Sequence, residues 1–204
     1  MLLEDVFTSI MLFLPELVKG VVALVIIVDP FGNIPIFISL TKNMDEQQRS
    51  NTFRTAVLTG LILLFAFTVA GQQILFLFGI SIYSFMVAGG ILLLIVAIKL
   101  QEPGNWREEI VSSESIGAVP IGCLLLVGPG AITNTILSLQ SAGATVTILS
   151  VLITFLIVWL VLRFVNPLYR ILGKTGSLVI TRVMSLLIAA IAVQYIFQGA
   201  KHII

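Results

Sequence analysis

Val28-Asp29-Pro30-Phe31-Gly32-Asn33-Ile34-Pro35 interrupts a hydrophobic segment that otherwise reads as a membrane span. One acid, two prolines, a glycine and an amide within eight positions cannot continue a regular helix: proline removes a backbone donor and clashes with the preceding turn. A second interruption, Val127-Gly128-Pro129-Gly130-Ala131-Ile132-Thr133-Asn134, follows 99 positions later in a chain of 204 residues. In hydrocarbon the freed backbone groups need partners, so such breaks survive only buried in protein or lining a cavity.

The rest of the sequence supports a membrane setting. Hydrophobic residues make up 58% of the chain, charged residues 10%, and mean hydropathy is +1.14. A soluble domain carries roughly 25% charged residues, so this is an integral membrane protein of the all-α class. The net charge of +1 and the lack of a basic patch give no footing for nucleic acid. Cys123 is the single cysteine, which excludes an internal disulfide and a cysteine-rich metal site. The opening Met-Leu-Leu-Glu-Asp has no basic n-region and is not expected to be a cleaved signal.

Stretches 55–98 and 115–162 contain no charged residue, each long enough for two spans of roughly 20 residues. Six spans are predicted, at 14–40, 55–75, 83–98, 116–139, 146–165 and 178–197, with a short interfacial helix at 6–13. The turn between the second and third falls either at Gly71-Gln72-Gln73 or at Gly79-Ile80-Ser81. Lys42, Arg49, Arg54, Lys99, Arg107, Arg163, Arg170, Lys174 and Arg182 fall on one side of this arrangement, against Lys19 and Lys201 on the other. By the positive-inside rule both termini face outward. The chain is one transmembrane domain, with a first repeat at about 15–98, a cytoplasmic loop at about 99–115 and a second repeat at about 116–200. Three spans per half make any repeat an inverted one, with helices 1 and 4 broken near the midplane. Val28, Pro30, Ser39 and Leu40 match Val127, Pro129, Ser138 and Leu139 under the 99-residue shift.

Asp29 at an N-cap with Pro30 at the first helical position is a favourable helix start, and Gly128-Pro129 repeats it without the acid. Half-helices at 30–40 and 129–139 are therefore expected. Their N-terminal amides would be unsatisfied and carry partial positive charge, a setting for a substrate carboxylate. Gly32 and Gly130 would allow close approach to the backbone, and Asn33, Thr133 and Asn134 would supply side-chain donors and acceptors. Pro30, Pro35 and Pro129 are the structural breakers. Asp29 is also a candidate coupling group for a proton or Na⁺, because an intramembrane carboxylate is costly and functional by default.

The stretch Asp29-Pro30-Phe31-Gly32-Asn33-Ile34-Pro35-Ile36-Phe37, followed by Leu40-Thr41, resembles the signature of the MarC family of bacterial and archaeal membrane proteins. The resemblance continues in Ala118-Val119-Pro120-Ile121, in Val127-Gly128-Pro129-Gly130-Ala131-Ile132, and in Arg182-Val183-Met184, Ile191-Ala192-Val193-Gln194 and Gly199. Ser185 stands where many members carry glycine. The resemblance implies a six-span inner-membrane protein grouped with LysE-type amino-acid transporters. Members called SnatA move small neutral amino acids such as glycine and alanine.

The sequence thus points to a secondary transporter without a cofactor, its partners a small neutral amino acid, a proton or Na⁺, and the lipid bilayer. A channel or a non-transporting sensor stays open, since broken helices also line pores. An intramembrane enzyme would need clustered acids, histidines or a nucleophile with its base, and Asp29 is the only acid well inside a span, with no buried histidine. Gly173-Lys174-Thr175 lacks the upstream glycine of a phosphate loop, Leu168 standing there, and reads as a turn. Ala88-Gly89-Gly90 reads as a close helix contact. Gln194 reads as an interhelical hydrogen bond or a cavity residue, Gln72 and Gln73 as a turn, and Trp106 and Trp159 as interface anchors.

Overall fold

A computed structural model describes residues 2–41, 44–101 and 126–203, with side chains at 2–12, 39, 40 and 174 outside that description. The described chain is all helix and turn. Its elements are α1 (Leu2–Val28), α2 (Ile34–Leu40), α3 (Glu46–Leu77), α4 (Ile82–Gln101), α5 (Pro129–Arg163) and α6 (Val165–Ile203). Two of these bend at glycines held in the left-handed region, Gly143 at φ 85° in α5 and Gly173 at φ 61° in α6. Only glycine enters that region without a Cβ penalty. Gly79, at φ 64°, likewise makes the turn between α3 and α4.

Four helical stretches among the described residues are long and apolar enough to cross a membrane: Glu46–Leu77, Ile82–Gln101, Pro129–Arg163 and Thr175–Ile203. They contain the expected second, third and sixth spans and, up to Arg163, the fifth. The first expected span is α1 and α2 with the break between them. Of the fourth, residues 116–125 lie outside the described part, as do Trp106, Ala118-Val119-Pro120-Ile121 and Cys123.

Several expectations are corrected. Residues 6–13 form no separate helix, because α1 runs unbroken from Leu2 through Pro15 to Val28. Gly71-Gln72-Gln73 lies inside α3, the chain turning only at Gly79. Gly71 is instead a packing position: a Cβ there would come 2.6 Å from Ile136 Cγ1 of α5. Gln194 is exposed on α6, and its neighbour Tyr195 is the residue that reaches inward.

Helix faces divide as a lipid solvent requires. In α3, Leu58, Ile62, Phe65 and Val69 are exposed at helical spacing, while Val57, Gly60, Leu64, Thr68, Gly71 and Leu75 are buried. Both faces are largely apolar, so the outward one suits hydrocarbon rather than water. The second part of α5 is the most enclosed. Its Val151, Phe155, Val158 and Leu162 join Leu24 and Val28 of α1, Phe37 of α2 and Phe53 of α3 in one core.

Close approaches set the packing. Gly20 of α1 meets Ser150 of α5, and Gly89 of α4 meets Thr133 of α5. Gly90 of α4 and Gly199 of α6 each face the other helix's backbone, at 2.8 Å from Ala192 O and 2.7 Å from Tyr83 O for an added Cβ. The expected Ala88-Gly89-Gly90 contact is present. α4 and α6 run antiparallel: Tyr83 stacks on His202 at one end (ring centroids 4.5 Å apart), and Gln101 Nε2 donates to Ser185 Oγ (2.7 Å) at the other. The same two ends are marked by the Glu16–Lys19 ion pair and by Arg49, which donates to Thr41 O and Asn166 Oδ1. They are called here the Tyr83 end and the Arg49 end.

A methyl group at Gly90 has backbone on its far side and nowhere to move. Gly90→Ala is expected to lose about 1–3 kcal/mol by forcing α4 from α6. Gly176→Ala, whose Cβ would meet only side-chain atoms at 3.4 Å or beyond, should melt close to wild type in detergent. Equal melting of the two variants would contradict this packing.

Candidate functional site

At the first break the backbone leaves α1 after Val28. Asp29 still donates its N–H to Val25 O (2.9 Å), then adopts φ 47°, a left-handed conformation that Asp and Asn tolerate best among side-chain-bearing residues. The turn closes on its own polar groups. Asp29 Oδ1 accepts from Gly32 N–H (3.1 Å), Asn33 N–H donates to Asp29 O (3.2 Å), and Asn33 Nδ2 donates to Val28 O (3.1 Å). Asp29 is 1% exposed and Asn33 0%. A Cβ at Gly32 would collide with the Asp29 carboxylate and lie 2.7 Å from Thr181 Oγ1 of α6. This is a position where only glycine fits.

The expected half-helix at 30–40 with Asp29 as its N-cap is therefore corrected. Pro30 to Asn33 form the turn, and α2 begins at Ile34 with Asn33 at the cap and Pro35 in its first turn. The cause is the left-handed Asp29, which turns the chain by four residues before helix resumes. The Gly32 amide expected to meet a substrate carboxylate is met by the chain's own carboxylate.

At the second expected break the described chain begins at Leu126, and from there the expected helix start at Gly128-Pro129 is present. Gly128 is extended (φ −72°, ψ 168°), Pro129 takes the first helical position, and Ala131 and Ile132 donate back to Gly128 O at 3.0 and 3.3 Å. Helix then continues past 139 to the bend at Gly143. A Cβ at Gly130 would collide with the Leu93 side chain of α4 and come 3.2 Å from Ile27 Cγ2 of α1. The start of α5 thus lies against the last turn of α1, and Val28 and Val127 share one apolar cluster.

The two polar residues after this break turn different ways. Thr133 bonds back to Pro129 O (2.9 Å) and covers Gly89, a helix contact. Asn134, 4% exposed, accepts from Tyr195 OH of α6 through Oδ1 (2.5 Å), while its Nδ2 has no hydrogen-bond partner. Asn134 and Tyr195 line a cavity of about 400 Å³ at the Tyr83 end, together with Glu16, Lys19, Gly20 and Ser138. Small-molecule sites run about 300–1,000 Å³. Among the described residues no three His, Cys, Asp or Glu side chains gather where they could hold a metal ion.

Asp29, Gly32 and Asn33 thus form one self-bonded turn against Thr181, and Gly128 and Gly130 sit beside it along α1. Only Asn134 of the expected residues borders the cavity. Tyr195 and Gly20 were not singled out by sequence, and Ser138 only as the repeat match of Ser39, since an isolated Tyr, Ser or Gly in an apolar span carries no periodic signal.

A model described as MarC family integral membrane protein matches residues 14–204. The chain belongs to the MarC family. Similar MarC proteins include the UPF0056 membrane protein YhcE of Escherichia coli, 37% identical over 93% of this chain and 94% of its own length. A UPF0056 membrane protein of Archaeoglobus fulgidus is 36% identical over 86% of this chain and 88% of its own. No solved structure matches. Membership makes the chain an integral multi-pass membrane protein, and the names of these relatives state no activity.

The geometry of the MarC signature turn yields a stability prediction. Asn at position 29 tolerates the left-handed backbone and keeps an Oδ1 for the Gly32 amide, whereas Ala does neither. Asp29→Asn should melt within a few degrees of wild type, and Asp29→Ala should lose about 1–3 kcal/mol from the unmet buried amide alone. If the two variants melt alike, the carboxylate is not bracing the turn.

Proposed function

We propose that this MarC protein is a secondary transporter of small neutral amino acids across the cytoplasmic membrane, working by alternating access. The observation that carries the reading is the break at Asp29 packed along α1 beside the Gly128-Pro129 start of α5, with a cavity of about 400 Å³ bordered by Asn134 near that start. Discontinuous helices meeting inside a bundle are the usual setting of a transporter site.

In this reading the fold has six spans in two inverted three-span repeats. Element boundaries support it. Helix resumes after each break at Ile34 and at Pro129, and the chain then turns at Met44 and at Gly143, which repeat the 99-residue spacing of Val28 and Val127. The turn at Gly79 has its counterpart at Gly173. The contact of α1 with the second part of α5, at Gly20 and Ser150, pairs spans 1 and 5. Its partner under the repeat pairs spans 2 and 4, which meet at Gly71 and Ile136.

Arg49, Arg163 and Arg182 belong to the Arg49 end. The positive-inside rule then places that end in the cytoplasm and both termini, with the cavity mouth, outside. Among the acids whose side chains are described, Asp29 is the buried one: Glu16 is half-exposed part-way along α1, and Asp45 and Glu46 stand at the start of α3. We assign Asp29 the coupling proton. The expected substrate is glycine or alanine, and the protein acts as a carrier, not an enzyme.

Labelled-alanine counterflow in proteoliposomes tests this. The expected result is saturable exchange in wild type, with Asp29→Asn retaining exchange and losing uptake driven by a proton gradient. Flux that neither saturates nor shows counterflow would make the protein a channel. No flux from folded protein would favour a sensor.

A further inference from the structure

The cavity at the Tyr83 end is bordered by a side-chain amide with one half satisfied and one half not. Tyr195 OH donates to Asn134 Oδ1. In a planar amide the direction of Nδ2 follows from that of Oδ1, so this one hydrogen bond fixes where the NH₂ group points. Asn134 lines the cavity, yet its Nδ2 is buried and has no partner. A buried donor left unmet costs about as much as a lost hydrogen bond. Such a donor persists where an acceptor arrives from elsewhere.

We infer that the Asn134 amide, held in one orientation by Tyr195, is the contact for the substrate's carboxylate. The inference rests on the amino-acid transport reading above and narrows it to one end of the substrate and two residues. Nδ2 only donates, and a zwitterionic glycine or alanine has acceptors only in its carboxylate. The ammonium end has no use for this group. The mouth of the cavity agrees with a ligand of no net charge, because Lys19 Nζ lies 2.7 Å from Glu16 Oε1 and the two signs cancel there. Tyr195 is a positioning residue: it acts on the substrate through the amide it orients. Its hydroxyl also explains why a tyrosine, rather than another aromatic residue, stands on the inner face of α6.

The half-helix amides expected to take the carboxylate do not compete for this role in the first break, where Gly32 N–H is occupied by Asp29 Oδ1. In the second, Ala131 and Ile132 donate to Gly128 O. Of the buried side-chain donors without a partner among the described residues, Asn134 Nδ2 is the one whose residue lines this cavity.

The test is alanine counterflow by the full chain in proteoliposomes, comparing wild type, Tyr195→Phe and Asn134→Asp. Tyr195→Phe keeps the ring and lets the amide rotate. It should raise the KM for alanine about 3- to 10-fold, the range for one neutral hydrogen bond, while maximal exchange stays near wild type. Asn134→Asp keeps an acceptor for Tyr195 and replaces the donor with a carboxylate oxygen, so saturable exchange should be lost. Propionate should compete with alanine in wild type, and ethylamine, which keeps the ammonium group and has no acceptor, should not. A wild-type KM in Tyr195→Phe, or competition by ethylamine equal to that by propionate, would overturn the amide contact and leave the transport reading standing. Folded wild-type protein with no exchange would overturn the transport reading itself. Should Asn134→Asp fail to fold, the near-isosteric Tyr195→Phe and the two competitors still decide the matter.

Discussion

A buried carboxylate accepting a backbone amide three residues on, Asp29 Oδ1 to Gly32 N–H, makes the rest of this structure possible. A helix interrupted in the middle of a bilayer exposes donors and acceptors that lipid cannot satisfy. Here the interruption supplies its own partners. Asp29 caps the returning amide, and Asn33 reaches back to the Val28 carbonyl that the helix abandons. The left-handed φ of Asp29 sets the direction in which the chain leaves. Glycine at 32 lets the carboxylate sit where a Cβ would stand. Two side chains, one glycine and one backbone angle turn a costly break into a rigid feature.

That rigidity has consequences for packing. Because the break closes on itself, α1 can end against the beginning of α5 with apolar contact between Ile27, Gly130 and Leu93. The second break uses another solution, an extended Gly128 followed by Pro129, in which the first helical position has no N–H to satisfy. The acid belongs only to the first. A carboxylate in that place can respond to protons, whereas its counterpart in the second half cannot, and this asymmetry is what the proposed coupling uses. Beyond the break, α5 carries Thr133 to α4 and Asn134 to α6, so a single turn of helix touches both neighbouring elements.

Much of this was legible in the sequence, for identifiable reasons. Asp, Pro and Gly inside an apolar run announce a break whatever surrounds it, and the charge-free stretches 55–98 and 115–162 located the second, third and fifth expected spans. The start of the first half-helix was misplaced by four residues because the reading assumed a helical N-cap at Asp29, and local sequence does not distinguish a capping aspartate from a left-handed one. The α3–α4 turn was ambiguous because Gly71 and Gly79 look alike in sequence. Only packing separates them, one facing Ile136 and the other making the turn. Tyr195 was passed over in favour of Gln194, since polarity ranks the amide higher while the helical face decides which side chain points inward. The family was legible from the signature residues, and the family match over 14–204 agrees. What the chain carries is the part that neither motif nor packing states outright.

The central claim is that the paired breaks are reached from opposite sides of the membrane in turn. Single cysteines at position 138, in the wall of the Tyr83-end cavity, and at position 177, buried beside Thr181 toward the Arg49 end, address it in a Cys123→Ser background. Membrane-impermeant maleimide would be applied from each side, with and without alanine. The account predicts that Ser138→Cys reacts from the outside, that Ser177→Cys reacts from the cytoplasmic side, and that alanine changes the two rates in opposite directions. Parallel changes in both rates, or no response of either to any small amino acid, would contradict alternating access.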